Sequence, residues 1–319
     1  MINSGLMICS FYLKTRFLRR EETYHLNHNY RTEDKAYTDI LDIMTAFCEK
    51  HFSFSDDEKN MKMFSINDSS VTVYDAELYR AMTFTISSGA YGIESNITDR
   101  STKIVKYRRT TDDADIKDFN CLVFIPKDIG NIEITKGILI FQTLSTYGVK
   151  TITTKQMKAF FAELGLTLET RSVSVRAFVE KLIERGVLHK ITLIKNRISR
   201  DESDNMLIAS GREELSYIKP RLKDTWINKF LDFIENKSNT DVFEINDEEY
   251  EDIKVMFKLG NNYRTVCLMD IDKFSIVEDI PESIYNNGKC DSTKLIEHMI
   301  ETANNYKEKI IVTGNREEG

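Results

Sequence analysis

The stretch YGVKTITTKQMK, residues 147–158, sets Tyr147, Lys150, Lys155 and Lys158 among the hydroxyls of Thr151, Thr153 and Thr154, directly ahead of the apolar run AFFAEL. A helix beginning here would present free backbone N–H groups and the positive end of its dipole beside those side chains. That combination holds a phosphate. Thr153 or Thr154 is the expected cap, which puts Lys155 and Lys158 in the first turn, where a cation opposes the dipole unless an anion sits there. Three further basic groups have the same character. Lys195 and Arg197 follow Ile191 and Leu193 on one face of an expected strand, with Arg200 in the loop beyond. In KPRLK, Lys219, Arg221 and Lys223 alternate, so an extended chain would point all three the same way. Lys14, Arg16, Arg19 and Arg20 close the first apolar run. Together the four groups suit contact with a DNA phosphate backbone without sequence preference.

Enzymatic signatures are sparse. The sequence contains no phosphate-loop, dinucleotide, nucleophile-elbow or zinc-protease motif. Asp115-Ile116-Lys117 and Asp252-Ile253-Lys254 have the carboxylate-x-lysine spacing of metal-dependent nucleases, which makes a nuclease the alternative reading. In a chain with 51 acidic and 44 basic residues such triplets also arise by chance. His25 and His28 form the one close histidine pair, without neighbouring cysteines, and read as solvated loop residues. No metal or other cofactor is expected, and DNA binding needs no catalytic residue.

The elements that must carry these residues follow from periodicity. Leu6–Leu13 reads as a strand, and Thr32 opens a helix through Ala36, Ile40, Ile43, Met44 and Phe47. MKMFSI and VTVY read as a hairpin turning at Asn67-Asp68, followed by a strand in LYRAMTFTISS. CLVFIP and GILIFQ are strands apolar on both faces. The middle of the chain then alternates strand, helix, strand, helix, strand, ending in VLHKITLIKNRIS. IKPRLK enters another helix, DIKVMFKLGNNYRTVCLMDID is a hairpin, and Leu295, Ile296, Met299, Ile300 and Ala303 line one face of a long C-terminal helix. The fold class is α+β, with mixed or antiparallel sheets and packed helices. The expected divisions are an N-terminal α+β domain over 1–120, a central mixed domain over 121–200, and a hairpin and helical region over 201–319.

Bulk properties bound the rest. With 319 residues, 41% hydrophobic and 30% charged, the chain can bury a large core, and the formal net charge of -7 excludes a surface that is basic throughout. A local basic face remains open to it, because lysine and arginine concentrate between 150 and 223 while acidic residues crowd elsewhere. Five scattered cysteines suggest free thiols in a reducing cytoplasm. No run approaches the roughly 18 apolar residues that cross a bilayer, and the N-terminal run has no leader character.

The order of these elements, and IKPRLK over Ile218–Lys223 as a short motif, resembles the RexA-like phage-exclusion family. The resemblance implies a cytoplasmic, dimeric, non-catalytic DNA-binding protein of abortive infection. It also implies a membrane-protein partner encoded nearby that acts as effector, and a phage protein or replication complex as what is sensed. The chain departs from that pattern in its longer polar excursion over 92–120 and in the acidic NDEEYED.

Overall fold

The computed structural model describes residues 4–17, 20–144, 147–172, 179–180, 183, 187–195, 211–236, 240–245, 248–259, 262–269, 276–286 and 289–314. It divides into two compact units, one made of Met1–Val173 with Val277–Gly319 and the other of Ser174–Ile276. The fold is α+β.

The first unit is organised by β1 (Ser4–Phe17), which is longer than its apolar core because β2 (Arg20–Thr23) folds back on its end. Short β3 (Tyr30–Arg31) and β4 (Ala36–Tyr37) pair ahead of α1 (Ile40–Lys50). After β5 (Ser55–Asp57) come β6 (Lys62–Asp75), β7 (Tyr79–Ala90), the exposed pair β8 (Ser95–Thr98) and β9 (Val105–Arg109), then β10 (Asp115–Pro126), β11 (Lys136–Leu144), β12 (Tyr147–Gly148), α2 (Lys150–Glu163) and β13 (Leu166–Ser172). The main sheet runs β13-β1-β11-β10-β7-β6-β5.

Side-chain alternation explains why β1, β10 and β11 read as continuously apolar. Cys9, Phe11, Leu13, Cys121, Val123, Ile125, Leu139 and Phe141 point into one cluster with α1 and α2. Their alternate neighbours Leu6, Ile8, Leu122, Phe124, Ile138 and Ile140 are equally buried but outside that cluster.

The second unit is an antiparallel sheet in the order β15-β14-β18-β19. Its strands are β14 (Val187–Lys195), β15 (Glu213–Ile218), β18 (Asp252–Leu259) and β19 (Asn262–Cys267). Helix α3 (Asp224–Asn236) follows β15, and β16 (Glu244–Ile245) pairs with β17 (Glu248–Glu249). Ile191, Leu193, Ile253, Val255, Phe257 and Val266 supply its buried strand face. The chain then returns to the first unit through β20 (Ile276–Asp279), which pairs with β1, and ends in α4 (Ser292–Gly314). This is the expected long C-terminal helix. It packs on β10 and β11, with Leu295, Met299 and Ala303 buried.

Several local expectations change. The helix expected from Thr32 begins at Ile40, because the Asp39 carboxylate accepts from the N–H groups of Leu41 and Asp42 at 2.9 and 3.1 Å and fixes the start there. The turn expected at Asn67-Asp68 is a bulge inside β6, where the register against β7 shifts between Asn67 and Thr72. The Ser70 hydroxyl fills the interrupted ladder, accepting from the Thr85 N–H at 2.8 Å. The compact units also divide the chain differently from boundaries at 120 and 200. β10 runs through 120, and β1 pairs with both β11 and β13, so residues on either side of that point share one core. Position 200 lies outside the described residues, as does most of the second helix expected in the middle of the chain, just before VLHKITLIKNRIS.

Candidate phosphate-binding surface

Helix α2 carries the first expected cluster, but its start differs from the expectation. The helix begins at Lys150 with Val149 as cap, and no side chain caps it. Thr153 is one turn inside, fully buried, with a hydroxyl that has no hydrogen-bond partner among the described residues. Lys150 therefore occupies the first turn, while Lys155 and Lys158 sit one and two turns further on. Lys155 is committed elsewhere: its ammonium lies 2.6 Å from the Asp57 carboxylate at the end of β5, whose side chain is only 5% exposed. The hydrogen bond from Lys155, joined by one from Asn60, holds Asp57 below the ordinary carboxylate range. Lys158 is exposed. Lys150 lies close enough to Cys9 for its charge to favour the thiolate, yet burial dominates and pushes that thiol up to about 11.

The other clusters lie differently. Lys14 stands 6.0 Å from the Tyr12 ring centre on β1, and Arg16 and Arg20 occupy ladder positions opposite Glu21 and Phe17, their side chains outside the described set. Arg19, Arg197 and Arg200 lie outside the described residues. Lys195 closes β14 opposite Glu213, with its ammonium 4.9 Å from the Tyr250 ring centre.

KPRLK is not an extended strand. β15 ends at Ile218, and Lys219 turns the chain in the left-handed region at φ 49°, its N–H bonded to the His189 carbonyl at 2.7 Å. Pro220 and Leu222 turn inward against the unit's core, whereas Lys219, Arg221 and Lys223 are exposed.

Register places two more lysines at the same end of the sheet. Lys190 pairs with Ile218, the residue before the bend, and Lys258 pairs with Val187 and Tyr263 at the ends of β14 and β19. Lys190, Lys219, Arg221, Lys223 and Lys258 make no ion pair with a described residue. Lys258 stands 5.9 Å from the exposed Tyr263 ring. Lys195 lies six residue steps along the strand from His189, which places it about 20 Å from the bend. Lysines 190 and 258 were legible only as polar positions in the alternation of VLHKITLIK and DIKVMFKL, and nothing local says that two strand ends meet.

The nuclease triplets are occupied internally. Lys117 bridges to Asp115 and lies 4.3 Å from the Tyr147 ring centre. Asp252 accepts from the Cys267 thiol at 3.0 Å and from the backbone N–H groups of Ile253 and Met269. Among the described residues no three His, Cys, Asp or Glu side chains gather as a metal-ligand set. His25 and His28 are half-exposed as expected, but they stack at 5.2 Å and face Glu133, a partner more than a hundred residues away.

No helix among the described residues is long and apolar enough to cross a membrane. Compared with known proteins, the chain matches no protein-family model, no curated protein and no solved structure.

Proposed function

We propose that this chain binds duplex DNA through its phosphates, without strong sequence preference, and that the cationic end of the second unit's sheet is the principal contact. One observation supports the reading above the rest: five cations from three separate segments stand at one sheet end with no ion pair to a described residue, in a chain whose net charge is negative. A cation held by a carboxylate must give up that partner before it neutralises a phosphate and releases a counterion from the DNA, so unpaired cations contribute most to binding. In the first unit, Lys158 on α2 is exposed, whereas Lys155 is held by Asp57.

The setting we propose is phage exclusion, acting as a homodimer that signals to a membrane protein encoded nearby. It rests on the RexA-like order of elements alone. The nuclease alternative finds its carboxylates already engaged, Asp115 by Lys117 and Asp252 by the Cys267 thiol.

Fluorescence anisotropy of a labelled random 20-base-pair duplex, titrated between 50 and 200 mM salt, tests the reading. Five phosphate contacts predict a log–log slope of about -4 to -5. Arg221→Glu with Lys223→Glu is expected to flatten that slope by about two units and to weaken binding at every duplex sequence alike. A flat salt response of the unaltered protein would overturn the proposal.

A further inference from the structure

The second unit contains a cavity of about 180 Å³ between α3 and its sheet. Phe230 and Phe257, exposed by only 1% and 3%, form its floor, and the half-buried Leu188, Pro220, Leu222 and Trp226 form walls that reach the surface. No polar residue is among the described residues that line it. The one polar atom of its aromatic wall is already satisfied, since the Trp226 indole N–H donates to the Val242 carbonyl at 3.3 Å.

Size and lining decide what the cavity can take. Small-molecule sites usually enclose about 300–1,000 Å³ with several polar anchors, whereas an apolar cavity of about 150 Å³ stays dry and accepts a benzene-sized group. This cavity belongs with the second kind and fits one large side chain. A nucleobase would enter with its hydrogen-bonding edges unmatched, which makes it a poor occupant.

Charge identifies what the side chain is attached to. The loop whose Pro220 and Leu222 build the wall sends Lys219, Arg221 and Lys223 outward from the intervening positions, and none of the three has an ionic partner among the described residues. An apolar anchor arriving on an acidic backbone would therefore find cations beside its entry point.

We propose that this cavity receives a single aromatic or large aliphatic side chain from an acidic segment of a partner protein, whose carboxylates meet Lys219, Arg221 and Lys223. The inference does not rest on the DNA reading, and a test free of nucleic acid lets either fail without the other.

Trp226 is the chain's single tryptophan and reports on the cavity wall directly. The full chain is titrated with a capped pentapeptide in which phenylalanine is flanked on each side by two acidic residues. Parallel titrations use the same peptide with alanine at the centre, the same peptide with lysine flanks, and sodium octanoate. A saturable change in tryptophan emission is expected with the acidic phenylalanine peptide, at least tenfold weaker for the alanine and lysine-flanked forms. Arg221→Glu with Lys223→Glu, both exposed, is expected to weaken the acidic peptide at least tenfold while leaving thermal unfolding unchanged. Leu222→Phe, which fills the cavity, is expected to abolish the response. Equal binding of the alanine or lysine-flanked peptide, no response to the acidic phenylalanine peptide up to millimolar concentration, or a response to octanoate alone would overturn the proposal. The last result would assign the cavity to a hydrocarbon tail instead.

Discussion

A lysine read as a phosphate ligand can belong to the fold instead, and Lys155 shows how the two roles separate. Its ammonium is 2.6 Å from the nearly buried Asp57 carboxylate, 98 positions earlier in the chain. No spacing rule in the sequence links them. The pair makes a signed prediction. Because Asp57 titrates below its ordinary value of 3.8 when folded, its stabilisation is complete above that value and is lost as pH falls through the lower folded one. Lys155→Met is therefore expected to lower the urea midpoint at pH 7 and pH 5, and the difference from the unaltered protein is expected to shrink at pH 3 and below. Its affinity for duplex DNA is expected to stay within twofold. A large loss of DNA affinity with an unchanged midpoint would return Lys155 to the binding surface.

At the scale of elements, what the sequence makes legible depends on whether the determining contact is local. CLVFIP and GILIFQ are recognisable as strands apolar on both faces, and the C-terminal helix is recognisable from its periodic stripe, because alternation and period are properties of neighbours in the chain. The hairpin of β18 and β19 is likewise visible, with Leu259 opposite Asn262. The NDSS bulge is not visible, since turn-forming residues also serve a bulge once a partner strand continues past them. The start of α2 is hidden for a similar reason: threonines that resemble caps are helix-interior residues, with Thr153 facing the core. The start of α1 is fixed by Asp39, which caps the helix and also pairs with Arg80 of β7, a side chain 28% exposed. Asp39→Ala removes both roles and is expected to cost about 3 kcal/mol, combining a lost cap with a partly buried arginine left with only the exposed Asp75 carboxylate, 3.8 Å away. Asp39→Asn keeps a capping oxygen and is expected to recover about 1 kcal/mol of that loss. Urea denaturation of the two variants measures the split, and equal losses would show that the cap contributes nothing.

For the whole molecule, the decisive feature is that residues 174–276 form a compact unit of their own within the span of the first. The elements on either side of it, β13 and β20, both pair with β1, so the first unit's sheet is completed by segments that flank the second. Each unit has a separate buried core: Phe11, Phe47, Phe141 and Phe161 in one, Phe230, Val255 and Phe257 in the other. Separate cores predict separate cooperative transitions. The single tryptophan, stacked on Phe230 with ring centres 5.2 Å apart, lies in the second unit, so its emission follows that unit while far-ultraviolet circular dichroism follows the whole chain. If the principal DNA contacts belong to the second unit, duplex at about 100 times its dissociation constant should stabilise that unit by about 2.7 kcal/mol. With a urea dependence of about 1–3 kcal/mol per molar, the tryptophan-detected midpoint should rise by about 1–3 M. The part of the circular dichroism transition that belongs to the first unit should stay in place. Coincident curves from both probes, moving together with DNA, would show one cooperative molecule. Movement of the first unit's transition alone would transfer the binding surface to α2.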